Sequence, residues 1–276
     1  MNNDGHKQRT AAAFDMASEG YDCPGLRFFT ESAAYLVRKM QLRGDERLLD
    51  IATGTGNVAV AAAMLLPDGF VTGIDLSEKM LRRAQSKASS MGLRNVNFKR
   101  ADIEAMDFEK DFFDAASCAF GLFFLQDVSN GLKCISRVLK PGGKLALTSF
   151  QSSYWMPSRG MLRERLKKYG IEPPKWQMAS LDTPDKISDL LSWAGYRNID
   201  IEPLEMGYYL KDANEYWHAL WNTGQRGQLS QLSETDLTKF KEEHLQEVEA
   251  TADEKGIWLE VEVLFATARK TDGGRP

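Results

Sequence analysis

The ten residues Leu48-Leu49-Asp50-Ile51-Ala52-Thr53-Gly54-Thr55-Gly56-Asn57 constrain this chain more than any other stretch. A short apolar run ends on a carboxylate, and two glycines then open an apolar segment over residues 58–66. That is the pattern of a buried strand, a tight turn and a helix N-terminus. Glycines at such a turn let the backbone approach a ligand that any Cβ would hold away. The stretch predicts a site for a nucleotide-like cofactor and leaves its identity open.

The flanking chain repeats the same rhythm. Strands are predicted over 47–51, 70–75, 95–100, 112–119 and 144–150, with helices over 77–91 and 128–139 between them. Ser77 reads as a helix N-cap and Gly92 as the helix stop. Lys140-Pro141-Gly142-Gly143 reads as a stop and turn. Alternating strands and helices with short connections predict a doubly wound, mostly parallel α/β sheet. Before it, helices over 7–18 and 26–40 are expected as a cover. Beyond residue 150 come a charged helix over 154–169 and a break at Pro173-Pro174. Helices over 183–194, 212–223 and 234–254 follow, with strands over 198–204 and 257–268 and a frayed tail over 271–276. The expectation is one domain over 1–276: cover helices in 1–44, a cofactor-binding core in 45–150, and a substrate-side lid with the last two strands in 151–270. The lid helices are read as an insertion before the last strand.

Composition narrows the function classes. With 276 residues, 43% hydrophobic and 27% charged, a sizeable core is available. A formal net charge of −4 argues against nucleic-acid binding as the main business. Three cysteines, Cys23, Cys118 and Cys134, show no metal-ligand spacing, so no metal is expected. Residues 1–20 hold no apolar core segment and no run reaches membrane-spanning length, so the expected location is cytoplasmic, without an integral membrane segment.

Asp75 lies about twenty residues past the glycine turn, at a strand end, where a carboxylate can accept both hydroxyls of a ribose. That suits any adenosine-containing ligand. The turn itself discriminates. A pyrophosphate is poorly served by Asp50 beside it, whereas a ligand carrying an ammonium and a sulfonium is well served. Asp102 closes the third strand, where a carboxylate can accept from an exocyclic adenine amine.

The set Asp50 to Gly56, Gly73-Ile74-Asp75-Leu76-Ser77, Ala101-Asp102-Ile103 and Arg137 to Gly143 resembles the class I S-adenosylmethionine-dependent methyltransferases, and the likeness covers most of the chain. The resemblance implies a Rossmann-like methyltransferase fold, a seven-stranded sheet with one antiparallel strand near its edge. It implies S-adenosyl-L-methionine as donor, with S-adenosyl-L-homocysteine as product. By that resemblance Asp50, Ala52, Thr53, Gly54, Thr55, Gly56 and Asn57 hold the methionine portion and Asp75 the ribose. Leu76 and Met80 pack on the adenine, Ala101, Asp102 and Ile103 read its edge, and Ala119 with Phe120 closes the site. A nearer likeness is to the quinone-biosynthesis C-methyltransferases and their small-molecule relatives. It is carried by Phe14 with Ala17 and Tyr21-Asp22, and by Phe120-Gly121-Leu122. Those enzymes continue with Arg-Asn, where this chain has Phe123-Phe124, which removes a polar group from the acceptor side.

The acceptor side is read from aromatic residues. Tyr21 is the candidate catalytic residue by the Tyr-Asp resemblance, with a turn residue packed under the cover as the alternative. Phe14, Phe124, Tyr154, Trp155 and Trp217 are candidate substrate contacts, set against core packing. His218 shares the helix of Trp217 and Trp221 and is weighed in the same way. The expected partner is a small, apolar or aromatic organic acceptor methylated at carbon or oxygen. Two rivals stay open: an NAD(P)-dependent oxidoreductase on the same sheet, and a non-catalytic module that binds S-adenosylmethionine. The sequence does not fix the oligomeric state.

Overall fold

The computed structural model describes residues 3–172 and 176–271. The Pro173-Pro174 break and residues 272–276 of the expected tail lie outside them. The chain divides into two compact units built from interleaved segments. A sheet unit comprises Phe29–Ser152, Trp176–Leu204 and Val263–Pro276; a helical unit comprises Met1–Phe28, Ser153–Lys175 and Glu205–Glu262. The expected 1–44 cover is thereby divided, since α1 (Asn3–Ala17) belongs to the helical unit and α2 (Phe28–Met40) falls almost wholly in the sheet unit.

The sheet unit holds seven strands in the order β3-β2-β1-β4-β5-β9-β6. These are β1 (Arg47–Ile51), β2 (Phe70–Asp75), β3 (Val96–Arg100), β4 (Phe113–Ala119), β5 (Leu139–Phe150), β6 (Tyr196–Glu205) and β9 (Glu262–Lys270). Strands β1 to β5 pair in parallel, and β9 runs antiparallel to β5. The seven-stranded sheet with one antiparallel strand near its edge is thus observed. Its middle strands read as near-continuous apolar runs because both faces are covered. Leu48, Leu49 and Ile51 on β1, Ala115, Ala116 and Cys118 on β4 and Phe265 on β9 are all buried.

The helices follow their apolar spacing. In α4 (Glu78–Ser90) Met80, Leu81, Ala84 and Ala88 form the buried stripe, and the Ser77 hydroxyl accepts from the Met80 amide as N-cap. In α5 (Val128–Val138) Val128, Leu132, Ile135 and Val138 are buried, and Asp127 caps the helix through the Asn130 amide. α3 (Asn57–Ala63) follows β1, and α7 (Pro184–Trp193) precedes β6, with Thr183 as its cap. Arg137, near the end of α5, donates to the carbonyls of Phe108 and Met106 at 2.8 and 2.6 Å and ties down the connection between β3 and β4.

The helical unit packs α1, α6 (Ser158–Lys168), α8 (Ala213–Trp221), α9 (Arg226–Leu229) and α10 (Glu234–Glu249) with a two-stranded sheet of β7 (Tyr208–Leu210) and β8 (Ile257–Leu259). Its core includes Phe28, Leu162, Tyr216 and Phe240. Buried Arg165 of α6 pairs with Glu243 and, at 2.6 Å, with Glu247 of α10. No helix among the described residues is long and apolar enough to cross a membrane.

Three differences from the sequence reading have physical causes. The final strand expected over 257–268 is two strands, because the chain pairs first with β7 and then joins the main sheet as β9. β7 itself, only three residues long, shows too little alternation to be recognised. The Lys140-Pro141-Gly142-Gly143 segment does not stop before the strand; it lies inside β5 as a bulge. Phe113 opposes Leu139, while Ala115, two residues on, opposes Lys144. Gly142, at φ 71°, absorbs the extra residues. A Cβ on Gly143 would lie 2.7 Å from the Lys140 carbonyl oxygen and 3.2 Å from that of Asp114, both backbone atoms that yield little. Gly143→Ala is therefore expected to lower the unfolding free energy by roughly 1–3 kcal/mol in urea denaturation. An unchanged transition midpoint would show that the bulge is pliant.

Candidate functional site

The candidate site is built on the C-terminal ends of β1 to β4, at one edge of the sheet unit. Register brings the singled-out residues there together. Asp50 of β1 opposes Ser117 of β4 and Gly73 of β2, and Asp75 opposes Arg100, the last residue of β3. Adjacent strands lie about 4.8 Å apart, so the residues leaving these strand ends share one rim.

Asp50 sits under the glycine turn, 1% exposed. Its carboxylate accepts from the Thr53 hydroxyl at 2.6 Å and from the Ser117 hydroxyl at 2.7 Å. Burial pushes its pKa up to about 6, against the hydrogen bonds from Thr53 and Ser117, and the neighbouring Asp75 adds to the rise. Among the described residues no Lys, Arg or His forms an ion pair with it. Asp50 thus shapes the turn from beneath and gives the rim a negative potential, while the turn supplies the surface.

That turn is made of left-handed backbone: Ala52 at φ 52°, Gly54 at 55° and Gly56 at 81°. The two glycines differ in surroundings. A Cβ on Gly54 would meet nothing within 4 Å, whereas one on Gly56 would lie 2.9 Å from the Ala84 Cβ and 3.3 Å from the Phe98 ring. Gly54 therefore faces open space, and Gly56 lets α4 pack against the turn. The Gly54 amide donates to Asp75 Oδ2 at 2.9 Å, and the Ser77 amide donates to Asp75 Oδ1 at 2.8 Å. These two bonds orient the Asp75 carboxylate at the strand end. Thr55 and Asn57 are approached by Lys87 of α4, whose ammonium donates to Asn57 Oδ1 at 2.6 Å.

Further along the rim, Asp102 accepts from the Glu104 amide at 2.9 Å and caps a single 3-10 turn over Ile103–Ala105. Ala101 and Asp102 are half-buried, and the Ala101 amide donates to the Asp75 carbonyl at 3.1 Å. Leu76 is half-buried, while Met80 is buried on the core side of α4. After Ala119, Phe120 adopts φ 53°, an uncommon conformation for a bulky residue. Its amide is held by the Thr148 carbonyl and hydroxyl. The Phe120 ring stacks on Phe150 at 4.4 Å and meets the edge of Phe29 at 5.2 Å. Phe124 meets Trp176 edge-on at 5.0 Å, and the Gln177 amide donates to the Phe123 carbonyl at 2.7 Å.

The remaining candidates belong to the helical unit. Phe14 meets Tyr21 edge-on at 6.1 Å, and Tyr154 meets Phe28 at 6.3 Å and Trp155 at 5.4 Å. Burial pushes the Tyr154 phenol well above its ordinary pKa, and the charge of Tyr21 adds to the effect. Trp217 is buried; it stacks on Trp221 at 6.0 Å and packs against Phe240 of α10. His218 is exposed. Sequence reasoning missed Ser117, Lys87, Phe29 and Trp176. Ser117 left a trace as a hydroxyl inside an apolar strand, but its partner is 67 residues away.

The three rim carboxylates suit a cationic, adenosine-bearing ligand, and the open space over Gly54 is a cradle that a Cβ would fill. No group of three or more His, Cys, Asp or Glu residues that could hold a metal ion occurs among the described residues. The two glycines therefore separate binding from folding. Gly54→Ala is expected to lower stability by roughly 1–2 kcal/mol, the cost of a left-handed Ala. It should also weaken S-adenosylhomocysteine binding at least about tenfold by calorimetry, through the loss of close backbone approach. Gly56→Ala should lower stability further, by roughly 2–4 kcal/mol, since strain and overpacking add. Equal stability losses, with binding kept in Gly54→Ala, would contradict this division.

Comparison with known proteins agrees with the geometry. A family model described as a methyltransferase domain matches residues 48–143, the run from β1 into β5. The chain is 30% identical over 189 residues to the ubiquinone/menaquinone biosynthesis C-methyltransferase UbiE of Geotalea daltonii, covering 63% of this chain and 80% of that protein. It is 33% identical over 150 residues to the aklanonic acid methyltransferase DauC of a Streptomyces species, covering 54% of this chain and 68% of that protein. Among solved structures, the YcgJ protein of Bacillus subtilis superposes with a TM-score of 0.61 at 20% identity, over 88% of this chain and 99% of that one. The last likeness concerns the fold; the relatives in sequence carry the chemistry. A glycine turn over a buried carboxylate, a strand-end Asp75 and these relatives lead to one assignment: the chain belongs to the class I S-adenosylmethionine-dependent methyltransferases, close to the quinone-biosynthesis C-methyltransferases.

Proposed function

We propose that this methyltransferase transfers the methyl group to carbon or oxygen of a small, apolar or aromatic organic acceptor. The observation that carries the reading is the aromatic shelf beside the donor rim, where Phe120 lies on Phe150 and Phe29 meets its edge. A planar ring is well matched to such a surface, since aromatic faces favour offset or edge-on neighbours. Phe123 and Phe124 follow directly and add no charge to it. The two sequence relatives are named for quinone biosynthesis and for aklanonic acid, which supports a ring-bearing acceptor.

In this reading the 52–57 turn holds the methionine portion of the donor, Asp75 the ribose, and Leu76, Ala101, Asp102 and Ile103 the adenine. S-adenosylmethionine supplies a methyl already activated by positive sulfur. The protein's share is then chiefly alignment, which is worth roughly 7–11 kcal/mol where reacting atoms are well placed. Asp50 stabilises positive charge at the rim, and the apolar shelf keeps water from the acceptor face. Tyr21 is the candidate catalytic residue in this reading, with Phe14 and Tyr154 as candidate acceptor contacts.

The test uses the purified protein with radiolabelled S-adenosylmethionine and a panel of phenols, quinols and small amines. Label is expected in the aromatic acceptors and not in the amines. S-adenosylhomocysteine at about a hundred times its dissociation constant should stabilise the protein by roughly 2.7 kcal/mol, and NADH should not. Asp75→Ala should weaken S-adenosylhomocysteine roughly ten- to a hundredfold, because it removes a charged hydrogen-bond partner. Label in amines alone would overturn the acceptor class.

A further inference from the structure

We propose that Thr148 and Gly121 are positioning residues of the donor site, joining the chain exits of β1 and β4 into one clamp on the methionine portion of S-adenosylmethionine. The inference rests on the assignment of the 52–57 turn to that portion. Every residue involved belongs to the sheet unit. Six non-glycine residues among those described have positive φ, and two of them are Ala52 at 52° and Phe120 at 53°. Each is the first residue past a strand, and the two strands, β1 and β4, are neighbours in the sheet. Such backbone is costly for a residue with a side chain and persists only where the surroundings over-determine it.

Phe120 is held from β5. Thr148 is buried and opposes Ala119 in register, and the Phe120 amide donates to its carbonyl at 3.2 Å and to its hydroxyl at 3.1 Å. The hydroxyl thus fixes the direction in which the chain leaves β4. Gly121 follows at φ −108°, a conformation open to any residue, so no backbone reason calls for glycine there. The reason is space. A Cβ on Gly121 would lie 2.7 Å from the Ala52 Cβ and 2.7 Å from the Cys118 Sγ. The missing side chain lets the β4 exit rest directly on the first residue of the donor turn.

Ala52 is therefore pressed from the β4 side, while its neighbour Thr53 is tied down on the other. The Thr53 amide donates to the Ile74 carbonyl at 2.9 Å, and its hydroxyl donates to Asp50 at 2.6 Å. Methyl transfer is an in-line displacement, and a misplacement of about 1 Å can cost about a hundredfold in rate. A turn gripped from two strands meets that demand. Asp75, on the ribose side, has its own anchor in the Ser77 amide. Disturbing Thr148 or Gly121 should then displace the methionine portion and leave the adenosine portion in place.

Calorimetry with S-adenosylhomocysteine and with adenosine tests this, the stoichiometry counting only folded protein. Thr148→Val, which deletes the hydroxyl at nearly constant shape, should weaken S-adenosylhomocysteine about fivefold, the scale of one neutral hydrogen bond, and Thr148→Ser should restore it. Gly121→Ala should weaken it about tenfold through overpacking. Adenosine, which lacks the methionine portion, should bind all three variants as it binds the unaltered protein. In an Ala52→Gly background the Gly121→Ala loss should shrink, because one of the clashing carbons is gone. The clamp is overturned by unchanged S-adenosylhomocysteine affinity in Thr148→Val or Gly121→Ala, by no recovery in Thr148→Ser, by equal weakening of both ligands, or by a Gly121→Ala loss that Ala52→Gly leaves undiminished. Gly54→Ala is the control. If it weakens S-adenosylhomocysteine, the assignment of the turn stands whatever becomes of the clamp; if it binds like the unaltered protein, that assignment falls and the clamp with it.

Discussion

A carboxylate with no cation beside it organises the donor side of this protein. Asp50 is buried at the end of β1, and its oxygens are satisfied by two hydroxyls, Thr53 from the turn above it and Ser117 from the neighbouring strand. Each bond does structural work. The Thr53 bond holds the turn down over the strand end, and the Ser117 bond fixes the same carboxylate to β4. With the turn pinned, Gly54 can present its amide to Asp75, and Gly56 can let α4 approach. Hydroxyls satisfy lone pairs without neutralising charge. The burial penalty therefore persists as a pKa raised to about 6 and as a field that favours a bound cation.

The helical unit solves its polar burial differently. There a charged group is paired: Arg165 meets Glu243 and Glu247 along α10. Its neighbour His244, fully buried, is pushed down to about 4 by burial and by Arg165, so the ring stays neutral at physiological pH and shares a hydrogen bond with the Tyr216 hydroxyl. In the sheet unit the buried Asp50 meets only hydroxyls among its side-chain partners, whereas in the helical unit the buried Arg165 is paired with two carboxylates.

Much of this was legible in the residues themselves. The strand-turn-helix at 48–57, the strand-end carboxylates Asp75 and Asp102, and the alternation of elements through residue 150 are local patterns, and the sheet realises them. Long-range pairing was not legible. Ser117 meets Asp50 only because β4 lies beside β1, and no spacing rule reports that. The Lys140 to Gly143 segment was read as a turn because its residues are turn formers; pairing with β4 makes it a bulge within β5. The short β7 and β8 exist only as each other's partners. Residues beyond 150 gave helices correctly, but their division between two units depends on tertiary contacts that no periodicity carries.

The central claim is that the uncompensated charge of Asp50 is completed by the donor's sulfonium. It is tested most directly by measuring the dissociation constants of S-adenosylmethionine and S-adenosylhomocysteine between pH 5 and 8. The two ligands differ by one positive charge at sulfur. Asp50 is raised to about 6 in the free protein. Lowering the pH through that value protonates it and removes the charge a cation seeks. The account predicts that S-adenosylmethionine affinity is level above pH 7 and falls by up to about tenfold per pH unit below 6, with a clearly shallower fall for S-adenosylhomocysteine. Profiles that coincide for the two ligands, or that stay flat through pH 6, would contradict it.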